Sequence, residues 1–451
     1  MAIRRVFVAN RGEIAVRIVR ACHDLGLEAI AAYSEADSES LAVRLADGAA
    51  HVGGSRPNES YLVAENLVHA ARMHSCDALH PGYGFLSESP FLAQKCLEAG
   101  IIFIGPQPEI ISLMGNKLGA RAMAKDLGLP VVPGSPRVRE WREIKTLGDR
   151  IGYPLMIKAA AGGGGRGIKI IRKESEIESS VIAASAEAMA AFGDDTLFVE
   201  RFIEDGRHIE VQILGDVSGC ILHVGERDCS LQRRYQKLVE EAPAANLSKQ
   251  LRNRIRQSAV ELAMKVEYKN AGTVEFIVDQ ESEEFYFLEM NTRIQVEHPV
   301  SELITGIDLL QAQILIAQGD RMPFSQREID FSGHAIEVRI TAEDAGTGFR
   351  PSPGVISRWI VPQGDGLRVD TFCHEGATVS PFYDSLLAKL IVHAPSRINA
   401  LMKLQKALNE FEVDGVTTTI PFLRRLVTQL DFVKGDYNTR WLEQNLSDLI
   451  D

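Results

Sequence analysis

The chain opens on a short apolar run of strand length, Val6-Phe-Val-Ala9. Asn10-Arg11-Gly12 supplies a turn, and from Glu13 to Leu25 apolar residues recur at helical spacing until Gly26 closes the segment. Ala29–Tyr33 reads as the next strand, and Ala78-Leu79 and Ile101–Ile104 continue the pattern. Strands alternating with helices predict an open parallel sheet. A dinucleotide fold would place GxGxxG after the first strand, and only Gly12 stands there, so this α/β portion lacks a nicotinamide fingerprint. Pro130, Pro133, Gly134 and Pro136 then mark a boundary. Beyond it come strand Leu155–Lys158, a glycine loop, strand Ile168–Ile171, an alanine-rich helix near Glu176–Ala191 and strand Thr196–Glu200. From Phe202 an α+β portion runs to the end, without internal repeats or low-complexity segments.

Polar alternation carries the first chemistry. If Glu289-Met-Asn-Thr-Arg-Ile-Gln-Val-Glu297 is extended, Glu289, Asn291, Arg293, Gln295 and Glu297 share one face, with Met290, Ile294 and Val296 on the other. Thr273–Val278 alternates too, Asp279–Glu284 reads as a hairpin turn, and the pairing sets Glu275 beside Glu289. Two unneutralised carboxylates about 4 Å apart repel by roughly 4 kcal/mol at an effective dielectric of about 20. A cation removes that cost, and two carboxylates with an amide oxygen suit Mg²⁺ shared with phosphate oxygens. Phe285–Glu297 is therefore expected to build a magnesium–nucleotide site, and the chain to be an ATP-using enzyme. The plainer alternative is a solvated strand face with an ion pair to Arg293.

The glycine loop Ala161-Gly-Gly-Gly-Gly-Arg-Gly167 is not a P-loop, because Ile168 stands where Lys should follow the last glycine and the loop joins strand to strand. It reads as a flap whose bare backbone amides close over phosphates. A mobile hairpin tip is the alternative, and Lys158 and Arg166 favour phosphate. Asp228–Lys237 is a basic cluster that, taken alone, reads as solvated surface. His80-Pro-Gly-Tyr-Gly-Phe-Leu-Ser-Glu88 is, on composition, a structural turn, with a binding loop as the lesser reading.

Composition narrows the partners. With 451 residues the chain exceeds one core and roughly three domains are expected. A net charge of −12 argues against general affinity for nucleic acid or anionic membrane. The 6 cysteines are scattered without a CxxC pair, which argues against a disulfide framework or zinc site. No apolar run is long enough to span a bilayer, and the N-terminus lacks the apolar core of a signal peptide, so the expected compartment is the cytoplasm.

A glycine flap set before paired metal acids resembles the ATP-grasp enzymes. Several motifs narrow the resemblance to biotin carboxylase: HPGYGFLSE (His80–Glu88), KAAAGGGGRG (Lys158–Gly167), QRRYQK (Gln232–Lys237), EEAPA (Glu240–Ala244), EMNTRIQVEHPVSE (Glu289–Glu302) and GHAIEVRITAED (Gly333–Asp344). It runs on through Pro351-Ser-Pro-Gly354 and Tyr383-Asp-Ser385. The resemblance implies an N-terminal α/β domain over 1–113, a helical linker over 114–130, an ATP-grasp lid with the flap over 131–203, and a C-terminal ATP-grasp and carboxylase region over 204–451. It implies that Lys117, Lys158, His208, Gln232, Tyr235 and the flap glycines Gly163, Gly164 and Gly165 contact ATP, with the adenine around Glu200, Arg201 and Ile203. Glu275, Glu289 and Asn291 would hold Mg²⁺ or Mn²⁺. Lys237, Arg293, Gln295 and the Val296 backbone would bind bicarbonate beside Glu297 as base, and Tyr83 and Arg339 would face biotin. Tyr235, Val338 and Ala345 stand where the family usually carries His or Asn, Cys, and Pro.

The expected partners follow from the same resemblance. They are a separate biotin carboxyl carrier protein, carboxyltransferase subunits and a second copy of the chain. Met264-Lys-Val266, the nearest candidate for biotin attachment, reads as helix. Acetyl-CoA is the default final acceptor, with pyruvate or another acyl-CoA as alternatives. Other ATP-grasp ligases would keep the metal acids without needing both HPGYGFLSE and Arg339. A silent ATP-binding module would not need Lys237, Arg293 and Glu297 together.

Overall fold

The computed structural model describes residues 2–138, 141–160 and 168–450. The opening apolar run forms β1 (Arg5–Val8), flanked in parallel by β2 (Glu28–Ser34) and β4 (Ala78–His80). With β3 (Gly48–Gly53) and β5 (Ile102–Phe103) they make a five-stranded parallel sheet of order β3-β2-β1-β4-β5. The helix α1 (Gly12–Asp24) follows β1 directly. The strand order reverses beside β1, and loops leaving the carboxyl ends of strands at such a point flank a natural crevice. Here those loops are Asn10–Gly12 and Pro81–Glu88.

Where the prolines suggested only a boundary, a strand forms: β6 (Gly134–Val138). It pairs with β9 (Leu197–Arg201), which pairs with β7 (Leu155–Ala159), and β7 with β8 (Lys169–Ile171), all antiparallel. Helices Trp141–Ile151 and Ile177–Phe192 cover this small sheet around a core that includes Ile144, Leu155, Ile157 and Val199. β7 and β8 form as the two expected strands and pair antiparallel, while the segment 161–167 between them, with Gly163, Gly164, Gly165 and Arg166, lies outside the described residues.

The remaining strands used here are β10 (Gly206–Gly215), β11 (Ile221–Arg233), β12 (Gln236–Ala242), β13 (Asn270–Asp279), β14 (Glu284–Asn291), β15 (His334–Thr341), β16 (Leu367–Thr371) and β17 (Leu386–Ala394). They form an eight-stranded antiparallel sheet of order β14-β13-β10-β11-β12-β15-β17-β16. The hairpin β13–β14 pairs Glu275 with Glu289, as its alternation predicts. One expectation is corrected: the strand stops at Asn291, and residues 292–297 leave the sheet as a loop into helix His298–Thr305. The register steps from Glu275↔Glu289 to Phe276↔Phe287, leaving Leu288 as an extra residue, a bulge that breaks the simple alternation. Among the described residues no single helix is long and apolar enough to cross a membrane; the pair His298–Thr305 and Leu309–Gln318 passes by length and composition but is bent by 92°.

Candidate active site

The three sheets converge on one cavity of about 960 Å³. The first sheet contributes Asn10, Arg11, Glu13, Tyr83 and Phe85, and the small sheet Met156, Lys158, Glu200 and Arg201. Every described residue assigned a role above lines this space, from Lys117 and Ile203 to Val296 and Arg339.

The floor is a ladder of acids. Glu210 on β10 lies opposite Glu275 on β13, which lies opposite Glu289 on β14. Such a row is stable only if cations divide it, since buried carboxylates need partners. Lys237 supplies the largest share: its Nζ donates to Glu210 at 2.6 Å, Glu297 at 2.6 Å, Gln295 at 2.9 Å and Glu275 at 3.1 Å. Burial works against a charged Lys237, but Glu210, Glu275 and Glu297 outweigh it and hold its pKa well above the ordinary value. Lys117 pairs with Glu289 at 2.7 Å, and His208 Nε2 lies 3.0 Å from Glu275. Gln232 Nε2 approaches His208 Nδ1 at 2.8 Å, which orients the ring. Asn291 Nδ2 and Gln295 Nε2 donate to Glu275 Oε1 at 2.8 and 2.9 Å. Two facing carboxylates, Glu275 and Glu289, with the Asn291 side-chain amide beside Glu275, offer oxygen ligands of the kind a hard divalent cation takes.

The loop after Asn291 turns its polar groups into the same space. Arg293 Nε donates to Glu88 at 2.9 Å, tying the loop to His80–Glu88. Glu297 accepts from Lys237 and, at 2.9 Å, from Arg339. Burial would raise the Glu297 pKa, but Lys237, Arg339 and Arg227 overcome this and depress it. Arg339 also donates through Nε to Glu240 at 2.7 Å. Burial pushes the Glu240 carboxyl up to about 7 against the pull of Arg339. On the far wall Glu200 takes an ion pair from Lys158 and another from Arg121 at 2.9 Å.

The basic cluster is the solvated segment its composition suggests only at its tip, where Arg234, Tyr235 and Gln236 are exposed. Gln232 is buried on β11, Lys237 is enclosed on β12, and Arg234-Tyr235 make the two-residue turn between them. Both turn residues have positive φ, 49° and 65°, a conformation that costs non-glycine side chains energy and concentrates at binding sites. His80–Glu88 likewise lines the cavity: Asn10 Nδ2 donates to the Pro81 and Tyr83 carbonyls at 2.7 Å, and the Tyr83 hydroxyl donates to Glu13. Glu210, Arg121, Glu240, Glu13 and Lys389 are the participants that motif reading missed. Glu210 was within reach, because His208, Glu210 and Gln212 alternate along one strand.

Comparison with known proteins agrees along the whole chain. Residues 2–111 match the biotin carboxylase N-terminal domain, 116–325 the ATP-binding domain of the carbamoyl-phosphate synthase L chain, and 337–444 the biotin carboxylase C-terminal domain. The chain is 46% identical to biotin carboxylase 1 of Bacillus subtilis (strain 168), covering 98% of each protein. It is 44% identical to a pyruvate carboxylase subunit of Methanothermobacter thermautotrophicus, covering 98% of this chain and 89% of that one. The solved biotin carboxylase domain dimer of Hydrogenobacter thermophilus 2-oxoglutarate carboxylase, in complex with MgADP, ADP and bicarbonate, superposes with a TM-score of 0.96 at 46% identity, covering 100% of this chain and 99% of that one.

Proposed function

The chain belongs to the biotin carboxylase family, ATP-dependent ligases of ATP-grasp fold, and from that premise we propose that it carboxylates biotin on a carrier protein, using bicarbonate and ATP through carboxyphosphate. The observation that carries this reading is the unbroken chain of contacts from Glu275 through Lys237 and Glu297 to Arg339. It places acids suited to a nucleotide-bound metal within two side chains of a guanidinium suited to an oxyanion.

In this reading Glu275, Glu289 and Asn291 would hold a divalent cation, which would neutralise charge on the ATP phosphates. Lys117, Lys158, His208, Gln232 and Tyr235 line the ATP side, with Glu200, Arg201 and Ile203 near the base. Bicarbonate sits against Lys237, Arg293, Gln295 and the Val296 backbone. Phosphoryl transfer leaves little covalent work for the protein, so positioning and charge carry the step. Glu297 accepts the bicarbonate proton as its oxygen attacks the γ-phosphate, releasing ADP. Carboxyphosphate divides into CO₂ and phosphate, the phosphate takes the proton from the ureido nitrogen, and that nitrogen attacks CO₂. Arg339 stabilises the ureido enolate, a task for a cation that cannot lose its proton, and Tyr83 lines the same cavity.

We assign the chain four parts on the boundaries given above, a cytoplasmic setting and a homodimer. Its partners in this reading are a biotin carboxyl carrier protein and carboxyltransferase subunits. Acetyl-CoA is the proposed final acceptor; the relative that serves pyruvate carboxylase supports pyruvate as the second choice. Steady-state ATP cleavage tests the reading: turnover should require bicarbonate and rise with free biotin, and turnover indifferent to both would refute it.

A further inference from the structure

Behind the cavity, outside its lining but against the groups given roles above, lies a lysine with no exposed surface. Lys389 stands on β17 opposite Arg339 on β15 and opposite Asp370 on β16. Its Nζ donates to the Val296 carbonyl at 2.9 Å, and lies 3.1 Å from Glu13 Oε1 and 3.7 Å from Asp370. Asp370 is already held by Arg368, at 2.7 Å. The Glu13 contact is different: the same Oε1 accepts from the Tyr83 hydroxyl, while Oε2 is buried without a partner. One ammonium therefore touches the backbone of the loop that leads to Glu297 and, through one carboxylate oxygen, the side chain of the loop that carries Tyr83. These loops come from opposite halves of the molecule, more than two hundred residues apart in sequence.

Buried charge of this kind is a poor way to add stability. Taking a carboxylate and an ammonium out of water costs several kcal/mol each, and apolar replacement of a buried pair is often neutral or stabilising. What the pair supplies is direction. An ammonium aimed at a carbonyl fixes a peptide plane, and a carboxylate shared between Lys and Tyr fixes a ring.

We propose that Lys389 and Glu13 are positioning residues that set the Val296–Glu297 backbone and the Tyr83 ring in one frame, so that the bicarbonate and biotin halves of the site are aligned together. The proposal rests on the functional reading above. A misplacement of about 1 Å remote from the chemistry can cost on the order of a hundredfold in rate, and here the loss is confined to two of three substrates.

The test compares the full chain with Lys389→Met, Glu13→Gln and the double variant, which removes both charges at nearly constant shape. Readouts are KM for bicarbonate, free biotin and ATP, the dissociation constant for MgADP and the melting temperature. In the double variant KM for bicarbonate and biotin should each rise about tenfold or more, with KM for ATP and MgADP affinity within about twofold of the parent. Glu13→Gln, which keeps an acceptor for Tyr83, should show a smaller rise for both. A purely structural role would instead lower the melting temperature and shift all three KM values together, and that pattern overturns the proposal. So does a folded double variant with parental KM for bicarbonate and biotin. If the double variant does not fold, unchanged KM values in Glu13→Gln decide against it. Absence of bicarbonate-dependent turnover in the parent would count against the functional reading instead.

Discussion

Glu297 sits between two cations, and that decides what kind of base it would make in the proposed reaction. Lys237 and Arg339 hold it ionised throughout the working range, so it is always ready to accept a proton, but they also make it a weak base. Glu297→Gln keeps the shape and one acceptor oxygen for Lys237 or Arg339, and removes the basic carboxylate. We expect kcat to fall by about a hundredfold or more, the usual worth of a general base, with MgADP affinity retained. Single-turnover ATP cleavage checks this, and parental turnover in Glu297→Gln would strip Glu297 of the role. Lys237 and Arg339 were legible as motif residues, but Glu240, the second carboxylate that Arg339 holds, was not. A glutamate in EEAPA has no signal of its own until register sets it opposite Glu337.

Elements decide how such residues meet. β12 shows this well, because its neighbouring glutamates face opposite tasks. Glu240 serves Arg339, while Glu241 clamps the C-terminal helices: it accepts from His334 at 2.6 Å, from Arg397 at 2.7 Å and from Tyr437. Burial would raise the Glu241 pKa, but these partners bring it from an ordinary 4.5 to about 2. A carboxylate depressed on folding adds stability that is present above its unfolded pKa and lost as pH falls through the folded one. The shift corresponds to about 3 kcal/mol at neutral pH. Glu241→Gln should therefore unfold at lower urea by about that margin at pH 7, the gap closing between about pH 5 and pH 2. A gap that does not change with pH would contradict the assignment. Element prediction succeeded where apolar period was clean, as in β1, α1 and the β13–β14 hairpin. It missed β3, whose Gly-Ala-Ala-His-Val-Gly offers little branched or aromatic character, and β6, whose Pro136 reads as a break. The bulge at Leu288 has no sequence signal, so alternation alone carries the strand past its true end at Asn291.

At the scale of the whole molecule, the site exists because the loops of the parallel sheet meet the strands of the small and the eight-stranded antiparallel sheets. The reversal of strand order at β1 opens the crevice from which Tyr83 and Glu88 reach across, and the Glu88–Arg293 bond closes a separation of 205 residues. No local pattern predicts such a closure. Recognition of joined motifs did not give this contact either, although it assigned Tyr83 and Arg293 to one site, and both line the same cavity. The same architecture makes the central claim direct to test. Labelled bicarbonate is incubated with the protein, MgATP and free biotin, and carbon transferred to biotin is counted. The account predicts labelled carboxybiotin formed in proportion to ATP cleaved, and none without ATP or in Arg339→Ala. ATP cleavage without label on biotin, or labelling that does not need ATP, would contradict it.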